Sequence, residues 1–243
     1  MEERQSRLSS MVWRRLRPYF CVRLILLNSM FSNFCHVLKK EILTEFEEAA
    51  KLLMNLCSIK KCEKEYEIVD IEFYMYNFQH PDVITYPRDM KMGRWFFHPS
   101  GVDLTFDSTP DRFGGILIRG IRNVNDDNDQ ILGPQKCVDA LWDNFNAFDN
   151  QYDTEYPIIS SVANPRSEEI MQCPRWISVP KGRTEIDKIK EWKERTNMIT
   201  RVPDVSDEAL AELVFRSPYR FVKINSIDQS LDSWRKYTAK PRL

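Results

Sequence analysis

Glu67-Ile-Val-Asp-Ile-Glu-Phe-Tyr-Met-Tyr76 is the stretch whose reading decides the fold. A β-strand sends successive side chains to opposite faces. Val69, Ile71, Phe73 and Met75 therefore form one uninterrupted apolar face, and Asp70, Glu72, Tyr74 and Tyr76 share the other with Ile68. The first face is core. The second resembles a site, because carboxylates at i and i+2 stand about 7 Å apart on such a face and an aromatic ring follows on the same side. A base beside a stacking surface is one reading; a half-exposed strand with solvated acids is the other.

Around this strand the elements alternate without a strict βα order. Upstream, Thr44 and Glu47 have the spacing of a capping box. Phe46, Ala49, Ala50 and Leu53 recur on one face of a helix running to about Cys57, and Ser58 to Glu65 reads as a polar connection. Downstream, turns at His80-Pro81-Asp82 and Pro87-Arg88-Asp89 precede an aromatic strand from Gly93 to His98. Pro99-Ser100-Gly101 turns the chain into a returning strand from Val102 to Phe106. Gly114-Gly115 opens Ile116 to Ile121, a strand carrying Arg119, and a buried arginine requires a partner. Gly133-Pro134 starts a helix with Cys137, Val138, Leu141 and Trp142 inward. Cys173 to Val179 reads as a strand. Thr184 with Asp187 caps a charged helix with a stripe of Ile186, Ile189 and Trp192, Ser206 starts a short helix from Asp207 to Phe215, and Tyr219 to Ile224 is the last strand. The pattern predicts an α+β fold: a single compact domain over residues 41–243 with a curved, mainly antiparallel sheet flanked by helices.

Composition sets the bounds. With 243 residues, 42% hydrophobic and 12% aromatic, the chain suits one globular domain. Thirty-five basic residues balance 36 acidic ones, so a nucleic-acid surface must come from uneven distribution rather than net charge. Arginines concentrate in residues 1–24 and acids between Asn123 and Asp129. Residues 1–40 loosely imitate a signal peptide. Their apolar run is too short to span a membrane, is broken by Arg23, and has no clear cleavage site, so a helical or poorly ordered extension is expected, with no membrane partner and an intracellular location. Six cysteines without a CxxC pair suit reduced thiols. Three scattered histidines, His36, His80 and His98, do not make a zinc set. No metal or organic cofactor is expected.

Several segments, in order, resemble the alkyladenine (3-methyladenine) DNA glycosylases over about residues 45–225. Ile68-Val-Asp-Ile-Glu-Phe-Tyr74 is similar to that family's Ile-Val-Glu-Thr-Glu-Ala-Tyr strand, and Gly93 to Phe106 sits where the family has a Gly-started aromatic hairpin. Gly115-Ile-Leu-Ile-Arg-Gly-Ile121 resembles its Val-Leu-Leu-Arg-Ala strand. Gly133-Pro-Gln-Lys-Cys-Val-Asp-Ala-Leu141 resembles its Gly-Pro-Ser-Lys-Leu-Cys-Gln-Ala-Leu helix start. Pro174-Arg-Trp-Ile177 and Tyr219-Arg-Phe-Val222 are similar to its Ala-Arg-Val-Gly and Leu-Arg-Phe-Tyr strands.

The resemblance implies a mixed fold on a curved antiparallel sheet and hydrolysis of the N-glycosidic bond of a damaged purine, alkylated or deaminated, in base-excision repair. Glu72 falls on the catalytic glutamate, and Arg119 on an arginine that helps hold the water and the acid. Tyr74 falls on an aromatic that stacks on the extruded base, His98 stands in place of a second, and His80 is nearest to a base-contacting histidine. DNA, single-stranded or mismatched DNA included, is the implied partner of a monomer.

The departures are specific. No aromatic wedge stands at Pro99-Ser100-Gly101. A purine-testing asparagine is replaced in the neighbourhood by Asp107 or Ser108, the charge is neutral, and the charged stretch at about residues 184–204 has no counterpart. Two other functions stay open: a non-catalytic nucleic-acid- or protein-binding module in which Glu72 and Arg119 are a cross-strand ion pair, and a hydrolase of another N-glycoside such as a free nucleoside.

Overall fold

The long strand pairs on both of its sides. In the computed structural model, which describes residues 42–142, 156–162 and 168–224, it spans Lys64–Tyr76 (β2) and lies between Phe113–Asn123 (β5) and two shorter strands, Cys57–Lys61 (β1) and Arg220–Lys223 (β9). The other strands are Trp95–His98 (β3), Gly101–Thr105 (β4), Gln130–Leu132 (β6), Ile158–Ser161 (β7) and Ile170–Cys173 (β8). Sheet order is β3-β4-β5-β2-β1-β7, with β6 beside β5 and β8 beside β9, and every pair is antiparallel. The sheet curls into a half-barrel. Four helices complete the described α+β domain: Ile42–Leu56 (α1), Pro134–Leu141 (α2), Glu185–Asn197 (α3) and Asp207–Arg216 (α4).

Apolar surface explains how the layers sit. Phe46, Ala49, Ala50 and Leu53 of α1 are buried as their spacing predicts, and Phe46 stacks on Phe73 of β2 at 4.4 Å between ring centroids. This cluster takes in Ile71, Phe73 and Met75 from β2 and Ile116, Ile118 and Ile121 from β5. A second cluster joins Tyr76, Val83 and Phe113 to Ile189 of α3 and Leu210 and Val214 of α4. Helix α1 therefore covers the Phe73 face, leaving the Glu72 and Tyr74 face for other use.

A pair of compensating bulges alters the simple alternation. Ile68 pairs with Ile121, Asp70 with Gly120 and Ile71 with Ile118. Val69 is thus an extra residue on β2, and Arg119 an extra residue on β5. Bulges change which way side chains point. Ile68, expected on the polar face, instead joins Ile71 in the main core cluster, and Arg119 projects from the β5 bulge towards Glu72.

Three boundaries differ from expectation. Helix α1 starts at Ile42, so Thr44 lies inside its first turn rather than capping it. Ser58 to Lys61 is strand, not connection: Ile59 and Lys61 are buried and the segment pairs with both β2 and β7. Pro174 to Val179 is not strand, because the Trp176 N–H donates to the Glu72 carboxylate instead of to a neighbouring strand. The Thr184–Asp187 capping box and the Ser206 cap form as read. The extension 1–40 lies outside the described residues, and no helix among them is long and apolar enough to cross a membrane.

Candidate functional site

Glu72 is fully buried, with 0% of its surface exposed, yet its carboxylate is saturated with donors rather than isolated. Oε2 accepts from the Tyr74 hydroxyl at 2.7 Å and from an Arg119 terminal nitrogen at 3.2 Å, and Oε1 accepts from the Trp176 backbone N–H at 2.7 Å. Tyr74, Arg119 and Trp176 all line one cavity of about 440 Å³. Glu72 therefore sits one contact behind the cavity wall. Its neighbour two residues back, Asp70, is held by both Nε and a terminal nitrogen of Arg220 at 3.0 and 2.7 Å, with Arg119 Nε 3.8 Å away. Burial pushes the Asp70 carboxyl up despite Arg220. Desolvation, reinforced by Glu72, holds the Tyr74 hydroxyl well above the usual phenol range, so Tyr74 stays protonated and donates.

Behind Tyr74 lies a second buried pair. The Arg175 guanidinium, fully enclosed, donates to Asp82 at 2.6 and 3.0 Å and to the carbonyls of Phe73 and Val214. It lies 4.7 Å from the centre of the Tyr74 ring. Charge-assisted bonds in this planar fork geometry fix position as well as energy. Arg175 thereby ties β2, the His80 turn and α4 together and fixes the Tyr74 ring.

Across the cavity stands His98 at the end of β3. Its Nε2 bonds Asp103 of β4 at 2.9 Å, and its Nδ1 accepts from the Ser100 N–H at 3.3 Å. With both nitrogens engaged, His98 offers the cavity a ring surface, lying 4.7 Å from Tyr86 and 5.9 Å from Phe96. Arg88 donates to the other Asp103 oxygen at 2.7 Å and lies 4.0 Å over Phe96. Burial would raise the Asp103 carboxyl, but the His98 and Arg88 hydrogen bonds outweigh it and hold the group below the ordinary carboxylate value of 3.8.

Of the residues singled out in the sequence, Tyr74, His98 and Arg119 share this cavity, and Glu72 contacts two of them. His80 does not join them. It is fully buried, with Nδ1 on the Met75 carbonyl at 2.8 Å and Nε2 on the Tyr219 hydroxyl at 2.9 Å. Its ring holds the turn after β2 in place. Tyr86, Arg88, Asp103, Trp176, Trp192 and Arg195 complete the functional wall and were not anticipated. Asp103 carried one signal, the lone charge in the returning strand Val102 to Phe106. Arg195 lies on the charged helix outside the stripe of Ile186, Ile189 and Trp192, and nothing local distinguishes it from its charged neighbours.

Among the described residues no group of three or more His, Cys, Asp and Glu is placed to hold a metal ion. Comparison of the chain with protein-family models, with curated proteins and with solved structures finds no match in any of the three.

Proposed function

We propose that this chain is a monofunctional DNA N-glycosylase of alkyladenine type, acting as a monomer inside the cell on an alkylated or deaminated purine turned out of the DNA into the cavity. The observation that carries the reading is the placement of Glu72 directly behind Arg119 and Tyr74, which line an aromatic cavity of about 440 Å³. That volume falls in the range of small-molecule sites, and Tyr74, Tyr86, His98, Trp176 and Trp192 offer ring surface for a planar base.

The chemistry is hydrolysis. As the sugar C1′–N bond breaks, its electron pair leaves on the base nitrogen and positive charge develops on the sugar. The Glu72 carboxylate stabilises that charge and, at the one acceptor position its three donors leave open, takes a proton from water as the water oxygen bonds to C1′. Arg119 orients the carboxylate. No lysine stands among the described cavity-lining residues, which favours water over an amine as the nucleophile.

A second reading has its own observation. An ionised carboxylate has about four acceptor sites, and Glu72 already fills three, with no exposed surface. Such a group suits a structural role, in which the cavity binds a base without cleaving it.

Base release from single- and double-stranded DNA carrying alkylated or deaminated purines, and from the corresponding free nucleosides, separates the readings. Release of a free base leaving an abasic site supports the glycosylase; retention of the modified strand with no release by folded protein supports the binding module; release from free nucleosides alone would make it a nucleoside hydrolase.

A further inference from the structure

The charged helix α3, which the resemblance leaves without a role, contributes two cavity-lining residues, Trp192 and Arg195. Arg195 is half-buried, and what sets it apart from Arg88 and Arg119 on the same wall is the absence of a carboxylate bonded to it among the described residues. One of its terminal nitrogens donates to three successive carbonyls, those of Val83, Ile84 and Thr85, at 2.9, 3.0 and 3.2 Å, and its buried Nε has no partner among the described residues. No carboxylate pairs with it there. The acids whose charge it feels are committed elsewhere, Glu191 to Arg183 and Lys188 and Asp82 to Arg175. The guanidinium lies 4.8 Å from the centre of the Tyr86 ring, which in turn contacts His98.

Charge across the whole wall points the same way. Arg88, Arg119 and Arg195 face the cavity against a single lining carboxylate, Asp103, which is spent on Arg88 and His98. Glu72, behind the wall, answers Arg119. Arg195 is left as an uncompensated cation, partly desolvated and held rigid by backbone carbonyls. Even partial desolvation of an unanswered charge carries a cost, and a preorganised guanidinium beside an aromatic face suits a planar ligand bearing a phosphate.

We propose that Arg195 is the phosphate-binding residue of this cavity: a nucleotide whose base lies among Tyr86, His98 and Trp192 places a phosphate oxygen on the free edge of the Arg195 guanidinium. This rests on reading the cavity as a nucleotide-base pocket, but concerns recognition rather than cleavage. A free nucleotide and a DNA strand both supply such a phosphate, and the chemistry at Arg195 is the same for either source.

The test is calorimetric titration of the full chain with deoxyinosine, with deoxyinosine 5′-monophosphate, and with a single-stranded pentanucleotide carrying deoxyinosine at its centre. The wild type is expected to bind the monophosphate or the pentanucleotide about tenfold more tightly than the nucleoside. A gain confined to the pentanucleotide assigns the phosphate to the strand; a gain already present in the monophosphate assigns it to the nucleotide itself. Arg195→Gln should bring the ratio close to one and leave deoxyinosine binding in place, whereas Arg201→Gln, an exposed arginine outside the cavity wall, should preserve the ratio and so exclude a net-charge effect. Equal wild-type affinity for nucleoside and phosphorylated ligands overturns the phosphate proposal while sparing the pocket, and this arm does not depend on any variant folding. Failure of all three ligands to bind folded protein overturns both.

Discussion

Asp103 holds two cavity residues at once, with one oxygen on His98 and the other on Arg88, and its side chain is 2% exposed. Replacing it by asparagine leaves the buried Arg88 without its counter-charge, and breaking a buried pair in this way costs about 3–5 kcal/mol. The pH dependence has a definite sign. Because the folded-state pKa lies below the ordinary value of 3.8, the stabilisation from Asp103 is present above that value and is lost as pH falls through the lowered pKa. Urea denaturation of Asp103→Asn should show a large loss at pH 7 and a smaller difference from wild type as the pH is brought down into the acid range. An equal difference at all pH values would contradict the assignment. Neither His98 nor Arg88 was legible as a partner of Asp103 in the sequence, because their pairing depends on how the β3–β4 hairpin and the turn at residues 87–89 meet in space. Glu72 and Arg119 were legible: an arginine in a largely apolar strand requires a partner, and the charged face of a neighbouring strand supplies a carboxylate.

At the scale of elements, the bulge pair in β2 and β5 aims Arg119. Gly120 sits at its centre opposite Asp70, and a Cβ built there would lie 2.9 Å from the Asp70 Cβ, 3.0 Å from Leu132 Cδ2 and 3.1 Å from Val69 Cγ2. Gly120→Ala must therefore push two strands apart or shift the bulge. Overpacking of this kind costs about 1–3 kcal/mol, and we expect the lost stability to be accompanied by weakened ligand binding as Arg119 is displaced. Thermal denaturation and nucleotide titration of the variant check both, and a variant with wild-type stability would mean that the bulge is soft. Helix α3 offers a contrasting case. Its capping box is reciprocal, with the Thr184 hydroxyl accepting from the Asp187 N–H and the Asp187 carboxylate accepting from the Thr184 N–H. Thr184→Ala should cost about 1 kcal/mol by urea denaturation, with little change in fold. Local signals such as this cap were readable because they involve residues three apart. The α1 face was readable for a related reason, its 3.6-residue repeat. The bulges, the β1 strand and the irregular course of residues 174–179 were not, because each is decided by a partner distant in the chain: Lys61 is buried in spite of its charge, and Trp176 gives its N–H to a side chain 104 residues away.

For the whole molecule, neutral net charge conceals a cavity of the opposite character. The 35 basic and 36 acidic residues nearly cancel, yet three guanidinium groups and one carboxylate line the cavity. The curl of the sheet produces this separation. Helix α1 and the apolar face of β2 occupy one side, and the charged face of β2, the β3–β4 hairpin and α3 enclose the other. Antiparallel α+β architecture was visible in the sequence from the mixed order of strands and helices; the enclosure of a cavity by the charged helix, whose stripe of Ile186, Ile189 and Trp192 read only as buried, was not. The same arrangement brings Glu72 behind Tyr74 and Arg119, on which the proposed cleavage depends. The measurement that tests this most directly is single-turnover base release from a deoxyinosine- or 3-methyladenine-containing strand by wild type and by Glu72→Gln, with folding of both checked by thermal denaturation. The account predicts release by the wild type and a loss of at least about 100-fold in the variant, the scale of a general base, with strand binding retained. A folded Glu72→Gln protein that releases base at the wild-type rate would contradict it.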